Sequence, residues 1–175
     1  GRPWVASVLL AVATWIKVWP AALLVAAVIA VRRRGAIIGG ALIVSGATVL
    51  TVVIMGGGAH VFGFVTDQAD RGLQIEAPVS AVYLWRAVAG IPGSFLYYDR
   101  DLLTFQATGP DVDVVIAVMT PLLVIVVTAI AVLGAIKAAR GASFVALFPP
   151  LALSLVLALI VVNKVGSPQY LTWLI

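Results

Sequence analysis

Cysteine is absent from the sequence, and histidine occurs only once, as His60. Without cysteine the chain can form no disulfide, supply no thiol nucleophile and build no cysteine-based metal site. A single histidine also argues against a histidine-based metal site, because such sites combine several imidazole ligands. These absences direct the search for function away from thiol chemistry, and we expect neither a bound metal nor an organic cofactor.

Charged side chains are scarce: they make up 10% of the residues, whereas hydrophobic ones make up 63%. A soluble domain has about 25% charged and about 45–50% apolar residues, so this chain has too little polar surface to be soluble. The net charge of +4 would suggest nucleic acid as the partner of a soluble protein. Here much of the positive charge lies in two clusters, residues 32–34 and 137–140, which membrane topology explains. The composition predicts a membrane protein that contacts lipids and binds no nucleic acid.

Acidic residues are missing outside one stretch, because all seven lie between Asp67 and Asp113. Long apolar runs flank that stretch, and the two basic clusters interrupt them. Basic residues between membrane spans mark the cytoplasmic side. We therefore place both clusters in the cytoplasm and the acidic stretch outside, which orients a multi-pass protein in the plasma membrane.

Four apolar runs are long enough to cross a membrane, since a spanning helix needs about 20 apolar residues. The predicted spans cover about residues 4–31, 36–55, 112–136 and 142–162, with an outer loop at 56–111 and the start of a further segment at 167–175. Lys17 and Pro20 interrupt the first run, which fits either a kinked span or a short helix leading into a span. We predict one all-α membrane domain, a polytopic helix bundle, and interpret the sequence as a piece of a longer protein.

The outer loop is too long for a simple connection and is predicted to carry structure of its own. Residues 78–89 begin with a proline suited to a first helical position. Val79, Val82 and Ala89 recur at helical spacing, and the tyrosine and tryptophan of this segment suit a membrane interface. We predict an interfacial helix with these three residues inward and Arg86 toward water or headgroups.

Lys17 lies in the first apolar run between Trp15 and Trp19. Helical geometry places it about 22 Å from Arg32, close to the outer leaflet. A charge inside the membrane suggests function by default, but a lysine can also extend its amine to the headgroups. Position alone leaves both interpretations open.

The densest polar cluster of the outer loop is Arg-Gly-Leu-Gln-Ile-Glu at residues 71–76. The Arg71 guanidinium suits a phosphate or carboxylate, and Gln74 and Glu76 can hydrogen-bond sugar hydroxyls. An ordinary solvated loop with an Arg–Glu pair is the alternative. Asp67 and Asp70 could join Glu76 around a divalent cation, but scattered solubilising acids explain that spacing more simply.

Three stretches, in this order, resemble one enzyme family. They are Ile-Lys-Val-Trp-Pro at residues 16–20, the polar cluster at 71–76, and Ser-Pro-Gln-Tyr-Leu-Thr-Trp at 167–173. Together they resemble the C-terminal half of glycosyltransferase family 87, the actinobacterial polyprenyl-phosphate-mannose-dependent alpha-mannosyltransferases of the membrane glycosyltransferase C class.

The resemblance implies an enzyme that moves a hexose, mannose in this family, from a polyprenyl phosphate to a glycolipid or polysaccharide on the outer face. It implies a set of substrate-binding residues: Lys17, Arg71, Gln74, Glu76, Ser167, Gln169 and Tyr170. His60, after a glycine-rich turn, and Gln68, where the family commonly has histidine, are weaker candidates. Ala77 stands where the family has a serine. The family's catalytic aspartate lies in a loop with no counterpart here, so we expect the base outside this sequence.

Two other classes of function remain open from the sequence. A flippase or transporter of the lipid-linked sugar would use the same cations without bond chemistry. A non-catalytic membrane subunit would use the polar loop to bind a protein partner.

Overall fold

The computed structural model describes residues 2–63, 71–167 and 169–170. The chain is mostly helical. Its elements, in order, are α1 (Pro3–Ile16), α2 (Pro20–Ala30), α3 (Arg34–Ile54), α4 (Ala81–Val88), β1 (Phe95–Asp99), β2 (Thr104–Thr108), α5 (Val112–Ala139) and α6 (Phe144–Val161). Single 3-10 turns at Gly58–His60 and Pro78–Ser80 complete the described secondary structure.

Three helices of the described chain, α3, α5 and α6, are long and apolar enough to cross a membrane. Their bounds differ by at most three residues from the spans expected at 36–55, 112–136 and 142–162. The chain is therefore of the polytopic helical membrane class.

The first apolar run forms two short helices, α1 of 14 residues and α2 of 11. Lys17, between them, has extended backbone angles and closes α1 by donating its N–H to the Ala13 carbonyl. Pro20 then starts α2 at a position where its missing N–H costs nothing. The sequence allowed a kinked span or a short helix leading into a span. The structure instead has two short helices, and neither is long enough to be one of the three candidate spans.

The chain divides into two compact units, residues 1–64 with 128–156 (unit 1) and residues 65–127 with 157–175 (unit 2). In unit 1, α1 packs closely on α3 at Gly40. A side chain there would bring its Cβ to 2.7 Å from Ser7 Oγ, and that hydroxyl donates to the Ile37 carbonyl. Small residues at a helix crossing permit such close backbone approach. Farther along, Trp15 Nε1 donates to Ser45 Oγ at 3.0 Å.

Unit 2 contains an antiparallel hairpin, β1 with β2, which the all-α prediction omits. Residues 95–98 and 104–107 are rich in aromatic and other strand-forming side chains. The turn between the strands lacks the Asn-Gly or Asp-Gly pair that marks a short hairpin. Instead Asp99 Oδ1 accepts bonds from the N–H groups of Asp101 and Leu102, both at 3.0 Å. This local side-chain cap forms the turn, and no sequence signal of a hairpin announces it.

The core of unit 2 comprises Leu73, Ala77, Tyr83 and Ala107, with Val79 among the partly buried residues around it. Val79 thus faces inward as predicted, but Val82 and Ala89 are exposed, and for them the predicted face of α4 is wrong. The physical reason is that Tyr83 and Arg86, one helical turn apart, form the side of α4 that contacts protein, which leaves the apolar side outward. The tyrosine ring at position 83, which is 3% exposed, occupies the inward position.

Candidate functional site

The polar cluster at residues 71–76 lies beside the hairpin of unit 2 and forms one isolated antiparallel bridge with it, between Gln74 and Gln106. Residues 73–75 lie between β2 and the segment that follows α6. Three backbone bonds hold them there: Ala107 N–H to Leu73 O at 2.8 Å, Ile75 N–H to Phe105 O at 3.2 Å and Gln74 N–H to Lys164 O at 3.0 Å. Backbone hydrogen bonds on both sides therefore hold residues 73–75 in place.

The Gln74 side chain contacts both neighbours of this segment, the chain after α6 and the strand β2. Its Oε1 accepts the Gly166 N–H at 3.1 Å, and its Nε2 lies 3.5 Å from Thr104 Oγ1. The residue is 1% exposed. Both ends of the buried Gln74 amide contact protein groups, so in this structure Gln74 helps to position the 164–166 segment.

Gly166 makes the closest approach between the two segments. A Cβ at this position would lie 2.5 Å from the Ala77 nitrogen and 2.6 Å from the Glu76 carbonyl oxygen. Only a residue without a side chain fits against that peptide group. The side chain of Glu76 itself is exposed, and its backbone forms the contact.

Arg71 and Tyr170 are the half-buried groups that remain at this place. Arg71 Nε is buried and has no hydrogen-bond partner among the residues that the structure describes. Burial raises the pKa of the Tyr170 phenol, and the positive charge of Arg71 opposes that rise. The Tyr170 N–H donates to the Ser167 carbonyl at 2.9 Å, so a turn presents the tyrosine. Gln169, in that turn, is exposed. A cation, a buried N–H donor and a protonated phenol together suit an anionic or hydroxyl-rich ligand.

Two polar residues of this site were not among the predicted ones. Lys164 is 4% exposed, and its backbone carbonyl accepts a hydrogen bond from the Gln74 N–H. Gln106 is fully buried, donates to Thr104 Oγ1 at 2.8 Å, and leaves its Oε1 without a partner in the described part of the chain. For Lys164 a signal existed, because it is the one charged residue after Arg140. For Gln106 there was none without the hairpin.

The other predicted residues are not among the described residues of unit 2. Lys17, half-buried at the α1–α2 break, and His60, exposed in the Gly58–His60 turn, both belong to unit 1. Gln68 lies outside the described residues, as do Asp67 and Asp70. Within residues 2–63, 71–167 and 169–170, no three histidine or carboxylate side chains could hold a metal ion.

Fold and site together define a polytopic helical membrane protein with a polar, strand-containing unit 2. No protein-family model, curated protein or solved structure matches the chain.

Proposed function

We propose that the chain is part of a membrane glycosyltransferase. It transfers a hexose, with mannose favoured by the resemblance, from a polyprenyl phosphate to a glycolipid or polysaccharide acceptor. One observation supports the proposal: in unit 2 the stretch at residues 71–76 contacts the residue that directly precedes the stretch at 167–173. The Gly166 N–H, next to Ser167, binds the Gln74 side chain across 92 residues of sequence.

The chemistry of the proposed reaction explains the residue types. A lipid phosphate leaves with negative charge, so the enzyme must supply positive charge and hydrogen-bond donors at the departing oxygen. Arg71 offers both, and its buried Nε–H is a donor without a described partner. Tyr170 stays protonated at neutral pH and can donate a hydrogen bond. Lys17 is the second cation that the resemblance implies, and the general base lies outside this sequence.

The proposal includes a location. Residues 56–111 form an extracytoplasmic loop of a plasma-membrane protein. This orientation puts residues 71–76 and 164–170 on the side where polyprenyl-phosphate sugars are used. The basic clusters at residues 32–34 and 137–140, which adjoin the apolar helices, support the orientation.

Alanine substitution in the full-length enzyme tests the proposal. We expect Lys17→Ala and Arg71→Ala each to lose most of the transfer from polyprenyl-phosphate-mannose while the protein still inserts into the membrane. Arg100→Ala is the matched control, because Arg100 is an exposed cation in the hairpin turn of the same unit. Near-normal transfer in both site variants would contradict the proposed roles.

The product separates the remaining functional classes. Reconstituted protein with a labelled donor and acceptor should form a new glycosidic bond. Translocation of the donor without a new bond would identify a flippase. Neither activity, together with tolerance to substitution at Arg71, would indicate a non-catalytic subunit.

A further inference from the structure

Helix α4 carries an exposed apolar face. Val82, Trp85 and Val88 are 53%, 72% and 78% exposed, and their spacing of three residues places them on one side of the helix. A helix at the surface of a soluble domain carries polar side chains on its outer side. This outer side is entirely apolar. Exposed apolar surface of this kind marks contact with a protein partner or a membrane.

The opposite side of α4 fixes where the helix lies in unit 2. Tyr83 belongs to the buried core, and Val112, Val115 and Ile116 pack against that core. These three residues occupy the first turns of α5, and Ile116 lies about 6 Å along the helix from its first residue. Helix α4 therefore lies beside the end of a helix that is long and apolar enough to cross a membrane.

Arg86 links α4 to the start of α5. Its Nη1 donates to the Pro110 carbonyl at 3.1 Å, two residues before α5 begins. The guanidinium also lies over the Tyr83 ring, 5.3 Å from its centroid. The one charged side chain of α4 is thus used to tie the helix to the start of α5, and it leaves the Val82–Trp85–Val88 face without charge.

We propose that this face of α4 docks on the lipid bilayer, at the boundary between headgroups and acyl chains. The end of a spanning helix lies at this boundary, and tryptophan is enriched there. A helix with an apolar outer face held beside that end meets lipid first. The inference rests on α5 crossing the membrane and is independent of the transfer reaction.

The docking also fixes the height of the candidate site. Ser80 Oγ lies 2.6 Å from the carbonyl oxygens of both Ile75 and Ala77, within hydrogen-bond distance of each. This contact joins the start of α4 to the segment that contains Gln74. Lipid contact through α4 therefore holds residues 71–76 at the level of the headgroups. The phosphate of a lipid carrier lies at this level.

Nitroxide labels on single cysteines test the proposal, because the natural chain has no cysteine. Val82→Cys and Val88→Cys would be labelled separately in the full chain, reconstituted in lipid nanodiscs. Collision of each label with oxygen, which concentrates in lipid, would be compared with collision with a water-soluble nickel chelate. Arg100→Cys, in the exposed hairpin turn, is the aqueous control.

We expect the Val82 and Val88 labels to collide more with oxygen than with the nickel chelate, and the Arg100 label to show the reverse. A water-like result at both α4 positions would overturn the proposal. Low collision with both reagents would also overturn it, because protein would then cover the face, either a second copy or another part of the chain. If the labels collide mainly with oxygen but the protein shows no transfer activity, the docking proposal stands and only the proposed enzymatic function is contradicted.

Discussion

Gly166→Ala should separate the two segments that form the candidate site. The new Cβ would lie 2.5 Å from the Ala77 nitrogen and 2.6 Å from the Glu76 oxygen, almost 1 Å inside normal contact. Both atoms belong to the backbone, so no side-chain rotation can relieve the overlap. Forcing additional atoms into a packed region costs about 1–3 kcal/mol and occasionally more. Because the neighbouring peptide group is rigid, we expect Gly166→Ala to destabilise this contact by about 3 kcal/mol, the upper end of that range.

The expected loss is local, and amide hydrogen exchange measures it where it occurs. The Gln74 N–H is protected by the Lys164 carbonyl, which belongs to the displaced segment. A cost of about 3 kcal/mol corresponds to roughly 100-fold faster exchange through local opening. Peptides that cover residues 73–77 should therefore lose protection, while those from α3 keep theirs.

Gly46→Ala is the matched control, because no atom lies within 4 Å of the Cβ position at Gly46. Alanine is also the better helix former there, so we expect unchanged or slightly greater stability. Equal protection of residues 73–77 in Gly166→Ala and in the natural protein would refute the close packing of Gly166 on the Glu76–Ala77 peptide.

Three further substitutions test other contacts. Gln74→Met should leave the Gly166 N–H without its acceptor and cost about 1–3 kcal/mol, seen as faster exchange of that amide; unchanged exchange would remove Gln74 from its positioning role. The raised pKa of Tyr170 means that the unfolded chain loses this proton first, so stability should be constant below pH 10.0 and fall as pH rises above it. Tyr170→Phe should abolish that part of the alkaline loss in thermal unfolding, and an identical pH profile would contradict the burial of the phenol. Gly40→Ala should lower the free energy of unfolding by about 1–3 kcal/mol through overlap with Ser7, and the thermal midpoint should fall with it; a midpoint equal to that of Gly46→Ala would contradict the α1–α3 crossing.

The helices α3, α5 and α6 could be predicted from the sequence to within three residues. Their signal is strong because a span is a long uninterrupted apolar run, and hydropathy reports that directly. The break at Lys17 was visible, but whether it produces a kink or two helices depends on local packing. Proline at position 20 suits either outcome.

Unit 2 was much less predictable, and its contacts explain why. The backbone hydrogen bonds of residues 73–75 go to partners about 30 and 90 residues away in the sequence. Such distant pairing leaves no local sequence pattern. The turn at Asp99 depends on a side-chain cap, and Gln106 is buried only because the hairpin forms. The resemblance selected Arg71, Gln74 and Tyr170, and all three lie in unit 2. It did not indicate that Gln74 acts through protein contacts, or that Lys164 contributes.

The sidedness of unit 2 decides the proposed function, because a polyprenyl-phosphate donor is used outside and a nucleotide sugar inside. Single cysteines at positions 35 and 141, beside the basic clusters, and at positions 100 and 108 of the hairpin can be tested with a membrane-impermeant thiol reagent in intact cells. We expect labelling at 100 and 108 and protection at 35 and 141 until the cells are opened. The reverse pattern would place the site in the cytoplasm and contradict transfer from a lipid-linked sugar.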